Sequence, residues 1–169
     1  ALEDYNKAIE LEPEDGFYYY LRADLYRDQE DYDKALLDYN KAIELGLNRP
    51  KKYRQLGRYY YNRGIFYNFY LKDYNKALED YNKAIELDPE YASYYFRRAH
   101  LYNSLKQFER AIADYLKVLE LNPEETSTLN NIALIYRNDL KDYEKALEYF
   151  SKAIELDPED ALYYQNRGE

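Results

Sequence analysis

The sequence predicts an all-α chain of stacked antiparallel helical hairpins, about ten helices in all. Three observations carry this reading. An eleven-residue pattern recurs five times, as Ala1 to Leu11, Ala35 to Leu45, Ala77 to Leu87, Ala111 to Leu121 and Ala146 to Leu156. The spacings between copies, 34, 42, 34 and 35 residues, are those of a repeat array. A second helical pattern fills each interval.

Each copy of the first pattern carries apolar or small residues at i, i+4, i+7, i+8 and i+10, such as Ala77, Tyr81, Ala84, Ile85 and Leu87. That is one stripe of an amphipathic helix, with alanines that let a neighbour approach closely. Asp31, Asp73 and Asp142 precede three copies as N-caps. After the copies stand Asp88-Pro89, Asn122-Pro123 and Asp157-Pro158, where a polar cap and a proline are expected to open the next helix. The second pattern places a small residue four after an aromatic or leucine and three before a tyrosine. It reads Tyr19, Ala23, Tyr26; then Tyr95, Ala99, Tyr102; then Leu129, Ala133, Tyr136; and last Tyr164, Gly168. In the longest interval both Gly57 and Gly64 fit the small position, which predicts a first helix of about 20 residues, or about 30 Å. Helices are therefore expected over 1–11, 14–28, 31–46, 50–70, 73–87, 90–104, 107–121, 124–138, 141–156 and 159–168, with no strand.

Tyr95, Ala99, Tyr102, Phe108, Ala111, Tyr115 and the closing Pro123 together resemble the tetratricopeptide repeat. Val118 stands where that repeat has a second alanine, and Leu47 where a proline belongs. The resemblance implies a single right-handed superhelical solenoid over 1–169. It would divide as a truncated repeat 1–13, repeats 14–47, 48–89, 90–123 and 124–158, and a truncated repeat 159–169. It also implies a non-enzymatic scaffold or adaptor that binds a peptide or partner segment in a concave groove lined by the first helix of each hairpin. In that geometry the groove is lined by Arg54, Arg58, Asn62, Phe96, Arg97, His100, Asn130, Asn131, Gln165 and Asn166. Asparagine amides there can both donate to and accept from a peptide backbone, and arginines can hold carboxylates.

Charge adds a second expectation. The net charge is −9, yet 45–72 holds no acid and seven cations, leaving −16 on the remainder. A partner with acidic groups would suit that basic stretch, whereas the acidic balance argues against nucleic acid. Arg22, Arg63, Arg98 and Arg167 each precede the small residue, and their recurrence predicts an ion pair with a packed helix. The terminal helices expose apolar stripes, so self-association through helix ends, by head-to-tail stacking, is the alternative function.

Other classes find no support. With no cysteine and a single histidine, no thiolate chemistry, metal site or cofactor is expected. No phosphate-binding glycine loop is present, and no apolar run is long enough for a membrane span. The composition suits the cytosol without excluding export. The 25 tyrosines, against no tryptophan or methionine, suit helix interfaces with the ring buried and the hydroxyl wet.

Overall fold

The structure is a computed structural model and describes residues 1–48 and 53–168, the side chains at 53 and 54 excepted. Arg49, Lys51 and Lys52 of the basic stretch, and the expected helix start at 50, lie outside the described residues. The described residues form ten α-helices and no strand. They are α1 (Leu2–Leu11), α2 (Gly16–Asp28), α3 (Tyr32–Leu47), α4 (Tyr53–Phe66) and α5 (Tyr74–Leu87). Then follow α6 (Ala92–Ser104), α7 (Phe108–Leu121), α8 (Thr126–Ile135), α9 (Tyr143–Leu156) and α10 (Ala161–Gly168). The expected all-α hairpin architecture is what the structure has.

The chain divides into two compact units, Ala1–Pro89 and Glu90–Glu169. In the first, α2 pairs with α3 and α4 with α5, while α1 packs on α2 and α3 on α4. In the second, α6 pairs with α7 and α8 with α9, while α7 packs on α8 and α10 on α9. Close approach within hairpins depends on small residues: Ala23, Ala35, Ala99, Ala111 and Ala133 are fully buried. Around them Tyr39 and Phe66 fill one core, and Tyr115, Ile132 and Ile135 another.

Asp31, Asp73 and Asp142 act as N-caps, each accepting from the backbone N–H three residues on, at 3.3, 3.1 and 3.1 Å. The proline turns differ from expectation. Asp88, Asn122 and Asp157 close the preceding helices: their backbone N–H groups donate to Ala84, Val118 and Ala153. The next helices begin only at Ala92, Thr126 and Ala161. Proline lacks the N–H needed to extend the outgoing helix, so it is spent in the intervening turn.

Two hairpins carry one more residue than the others between their small positions: Gly64 to Ala77 and Ala133 to Ala146 span 13, against 12 for Ala23 to Ala35 and Ala99 to Ala111. The surplus is absorbed as a π-turn ending the first helix, at Tyr67–Leu71 and Tyr136–Leu140. All four hairpins then turn through a left-handed residue, Glu30, Lys72, Lys106 or Lys141, with φ between 56° and 61°. The insertion thus leaves the turn and the packing register intact.

The recurring arginines tie first helices to second helices. Arg22 Nε and Nη2 donate to Asp38 at 2.6 and 2.8 Å, Arg63 to Asp80 at 2.8 and 2.7 Å, and Arg98 to Asp114 at 2.7 Å for both. Arg22 Nη1 also reaches Asn6 Oδ1 at 2.7 Å, and Arg63 Nη1 reaches Asn40 Oδ1 at 2.6 Å. Each guanidinium lies between tyrosines three before and four after it: Tyr19 and Tyr26, Tyr60 and Tyr67, Tyr95 and Tyr102. Those positions share one helix face, so six tyrosines have a defined task, shielding a partly buried ion pair. The hairpin of α8 and α9 replaces the pair with Ile132 and Tyr149, which pack together in the core.

Candidate functional site

Each unit has an open recess on the face formed by its first helices. In the first unit, α2 and α4 enclose about 320 Å³ lined by Phe17, Tyr20, Gln55, Arg58 and Tyr59. The Tyr20 ring lies 5.5 Å from Tyr59 and 6.2 Å from Phe17. Burial, reinforced by Asp24, pushes the Tyr20 hydroxyl up to about 12, while Arg58 draws it down. The wall is therefore aromatic and uncharged at neutral pH, with one exposed guanidinium beside it.

In the second unit, a recess of about 310 Å³ is lined by Ala92, Ser93, Phe96, Val118, Asn122, Glu125 and Ser127. Counted from the small residue of each helix, Tyr20 and Phe96 both stand three before, while Phe17, Arg58, Ser93 and Ser127 all stand six before. The two recesses are the same place in the repeat, differently furnished. Glu125 accepts from Ser127 Oγ at 2.7 Å and Asn122 Nδ2 at 3.3 Å, so this recess is polar where the first is aromatic and basic.

The expected groove residues separate into groups. Arg58 and Phe96 belong to the recesses. Asn62 donates to the Arg58 carbonyl one turn back, at 2.7 Å, so its amide serves its own helix. Arg54 lies outside the described side chains. His100 stacks edge-on against Phe96, 4.7 Å between centroids, and faces Asn131 Nδ2 through Nε2 at 3.4 Å. Half-buried Arg97 lies close enough to act on it electrostatically. Asn130 is buried, its Oδ1 accepting from Asn166 Nδ2 at 2.9 Å, and Arg137 donates to the Asn166 carbonyl. Those two amides join α8 to α10. Gln165 is exposed beside them. Sequence reasoning missed Phe17, Tyr20, Tyr59, Ala92, Ser93, Val118, Asn122 and Glu125 as lining residues. The position six before the small residue would have found Phe17 and Ser93.

Burial, then the charge of Arg97, pushes the His100 pKa below its ordinary value. The folded state thus favours neutral imidazole, which accepts from Asn131 when Nε2 is unprotonated. Stability from this site is complete above the unfolded-state value near 6.5 and is lost as pH falls through the lower folded value. Urea midpoints are expected to fall from pH 7.5 to 5.5, and His100→Phe is expected to remove part of that fall. An unchanged pH profile in the variant would refute this.

Among the described residues no group of three or more His, Asp or Glu is placed to hold a metal ion, and no helix is long and apolar enough to cross a membrane.

Hairpins of this length, with small residues at the crossing and tyrosines at fixed offsets, define a helical-repeat protein. Tetratricopeptide-repeat profiles match residues 16–48, 69–106, 92–125 and 126–160. The chain belongs to the tetratricopeptide repeat family. No curated protein matches it in sequence. Among solved structures it is similar to MamA, with 23% identity, 96% of this chain and 90% of that chain covered, and a TM-score of 0.73. It is also similar to BtubC from P. vanneervenii, with 21% identity, 99% and 77% covered, and a TM-score of 0.79. YrrB, described as a TPR protein with an unusual peptide-binding site, shares 23% identity over 100% of both chains, with a TM-score of 0.60.

Proposed function

We propose that this protein is a non-enzymatic interaction scaffold that holds a segment of a partner protein against its first helices. The observation that carries this reading is the pair of open recesses, about 320 and 310 Å³, at equivalent repeat positions in the two units. Pockets of that size, lined by both apolar and polar side chains, accept single side chains of an extended peptide. YrrB, whose description names a peptide-binding site, has a related fold, which suits the proposal. Filling the recesses is the direct test. Peptides selected from a random pool should lose at least about tenfold in affinity when Gln55→Trp and Ser93→Trp are combined. Selected peptides that bind the filled protein as well as the parent would refute the recess as the binding surface.

Association between copies is the second reading, favoured by α10 and α1. Leu162 and Tyr164 are 49% and 45% exposed. Arg167 stands before Gly168 as Arg98 stands before Ala99, yet reaches Ser151 Oγ at 3.4 Å and no carboxylate among the described residues. Asp4 holds in α1 the place of Asp38 in α3, and meets no arginine among the described residues. Copies stacked through these surfaces would complete the recurring arginine–aspartate pair. Light scattering should then show mass growing with concentration, suppressed by Arg167→Glu and restored when Asp4→Arg is added. A salt-independent monomer of 20.5 kDa would exclude this reading.

A further inference from the structure

We infer that the recess of the first unit takes a bulky apolar side chain of a partner segment and, through Arg58, a side-chain carboxylate next to it. The inference rests on the scaffold reading above and assigns the chemistry of one of its two recesses. Three features carry it. The lining offers three aromatic faces, Phe17, Tyr20 and Tyr59, and no acidic residue. Arg58 is exposed at the same recess and meets no carboxylate among the described residues, whereas Arg22, Arg27, Arg63 and Arg98 all do. Arg58 also lies within a run from 45 to 72 that contains no Asp or Glu, in a chain of net charge −9.

The physical logic follows from what each group lacks. A guanidinium presents donors in a fork that matches a carboxylate, and such charge-assisted pairs strengthen beside a low-dielectric surface. Tyr20 cannot supply the anion, because burial keeps its hydroxyl protonated, and Asp24 next to it is engaged by Arg27 Nη1 at 2.6 Å and Tyr39 Oη at 2.5 Å. The carboxylate must come from outside. Aromatic walls favour an apolar side chain over a polar one, since burying unpartnered polar groups there costs free energy. A ligand that is acidic alone, or apolar alone, meets only half of this site. Gln55 in the lining can pair with the ligand backbone. The second-unit recess has Glu125 in its lining and no cation, so it should not select the same ligand.

The probe is a fluorescein-labelled, C-terminally amidated peptide, Gly-Asp-Glu-Phe-Glu-Asp-Gly, measured by anisotropy and by amide shift mapping of the labelled protein. Shifts are expected at Phe17, Gln55, Arg58 and Tyr59. Arg58→Gln should weaken binding at least about tenfold, and Arg58→Lys less. Peptides with Phe changed to Gly, or with all acids changed to amides, should each bind more weakly by a similar factor. Arg58 is exposed and its guanidinium makes no hydrogen bond to a described residue, so unchanged helicity is the control. Equal affinity for the parent and Arg58→Gln overturns the inference, as does preference for a peptide ending in a free carboxylate. Shifts confined to Phe96, Ser93 and Ser127 would overturn it and leave the scaffold reading standing. No shift with this probe or with any pool-selected peptide would defeat both.

Discussion

Arg63→Met is expected to lower the unfolding free energy by about 3–5 kcal/mol, the cost of leaving a buried charge without its partner. The Asp80 side chain is only 5% exposed, and burial already holds its carboxyl above the ordinary range while Arg63 pulls it down. Losing Arg63 also uncovers Tyr60 and Tyr67, while the exposed Asn40 Oδ1 turns to water instead. The deficit should shrink in acid. A carboxyl whose folded pKa lies above its unfolded value favours the folded state below that unfolded value and loses the advantage as pH rises. Replacing both partners, Arg63→Ile with Asp80→Tyr, should recover most of the loss. The protein already uses that solution: Ile132 and Tyr149 stand in the same places, in the other hairpin with a π-turn. Urea denaturation of the two variants decides it. A single variant as stable as the parent would mean that the pair contributes nothing, and a double variant no better than the single would mean that the two hairpins are not interchangeable.

Ala42→Asp should cost a similar amount, about 3–5 kcal/mol. Ala42 is fully buried in α3, in a cluster with Ile43, Leu56 and Tyr59. The α2 backbone crosses so closely that a Cβ on Gly16 would stand 2.7 Å from the Ala42 carbonyl oxygen. No room exists for a carboxylate to turn towards water, and no described cation lines the cluster. Leu37→Asp is the control, on the same helix but 68% exposed, and should change stability by less than about 0.5 kcal/mol. Equal effects at the two positions would show that the stripe of α3 has been assigned to the wrong face.

Local chemistry was legible wherever a residue's task lies within one helix or one repeat. The aspartate caps follow from their place before an apolar stripe. The structural role of Arg22, Arg63 and Arg98 follows from recurrence beside the small residue, because a repeat places equal residues in equal surroundings. The proline turns were misread, since Asp-Pro can end one helix or begin another, and which occurs depends on where the next hairpin must start. The one-residue surplus was visible in the spacings, but its absorption as π-turns was not. An inserted residue can lengthen a loop or widen a helix, and here the left-handed residues at Lys72 and Lys141 hold the loop to one form.

The amino-acid sequence by itself determined the hairpin, its repeat and its family, because periodicity of apolar and small residues dictates helix faces whatever their neighbours. Only the tertiary structure decided between Gly57 and Gly64. Gly64 lies against Tyr81 so closely that a Cβ would stand 2.8 Å from its ring, and Arg63 beside it finds Asp80. That choice sets Arg58 six residues before the small position, at the recess, rather than one after it, in the place that His100 holds after Ala99. Side chains from α2 and α4, more than thirty residues apart in the chain, then form one aromatic wall. A site shared between helices depends on their distance and rotation, and packing sets both.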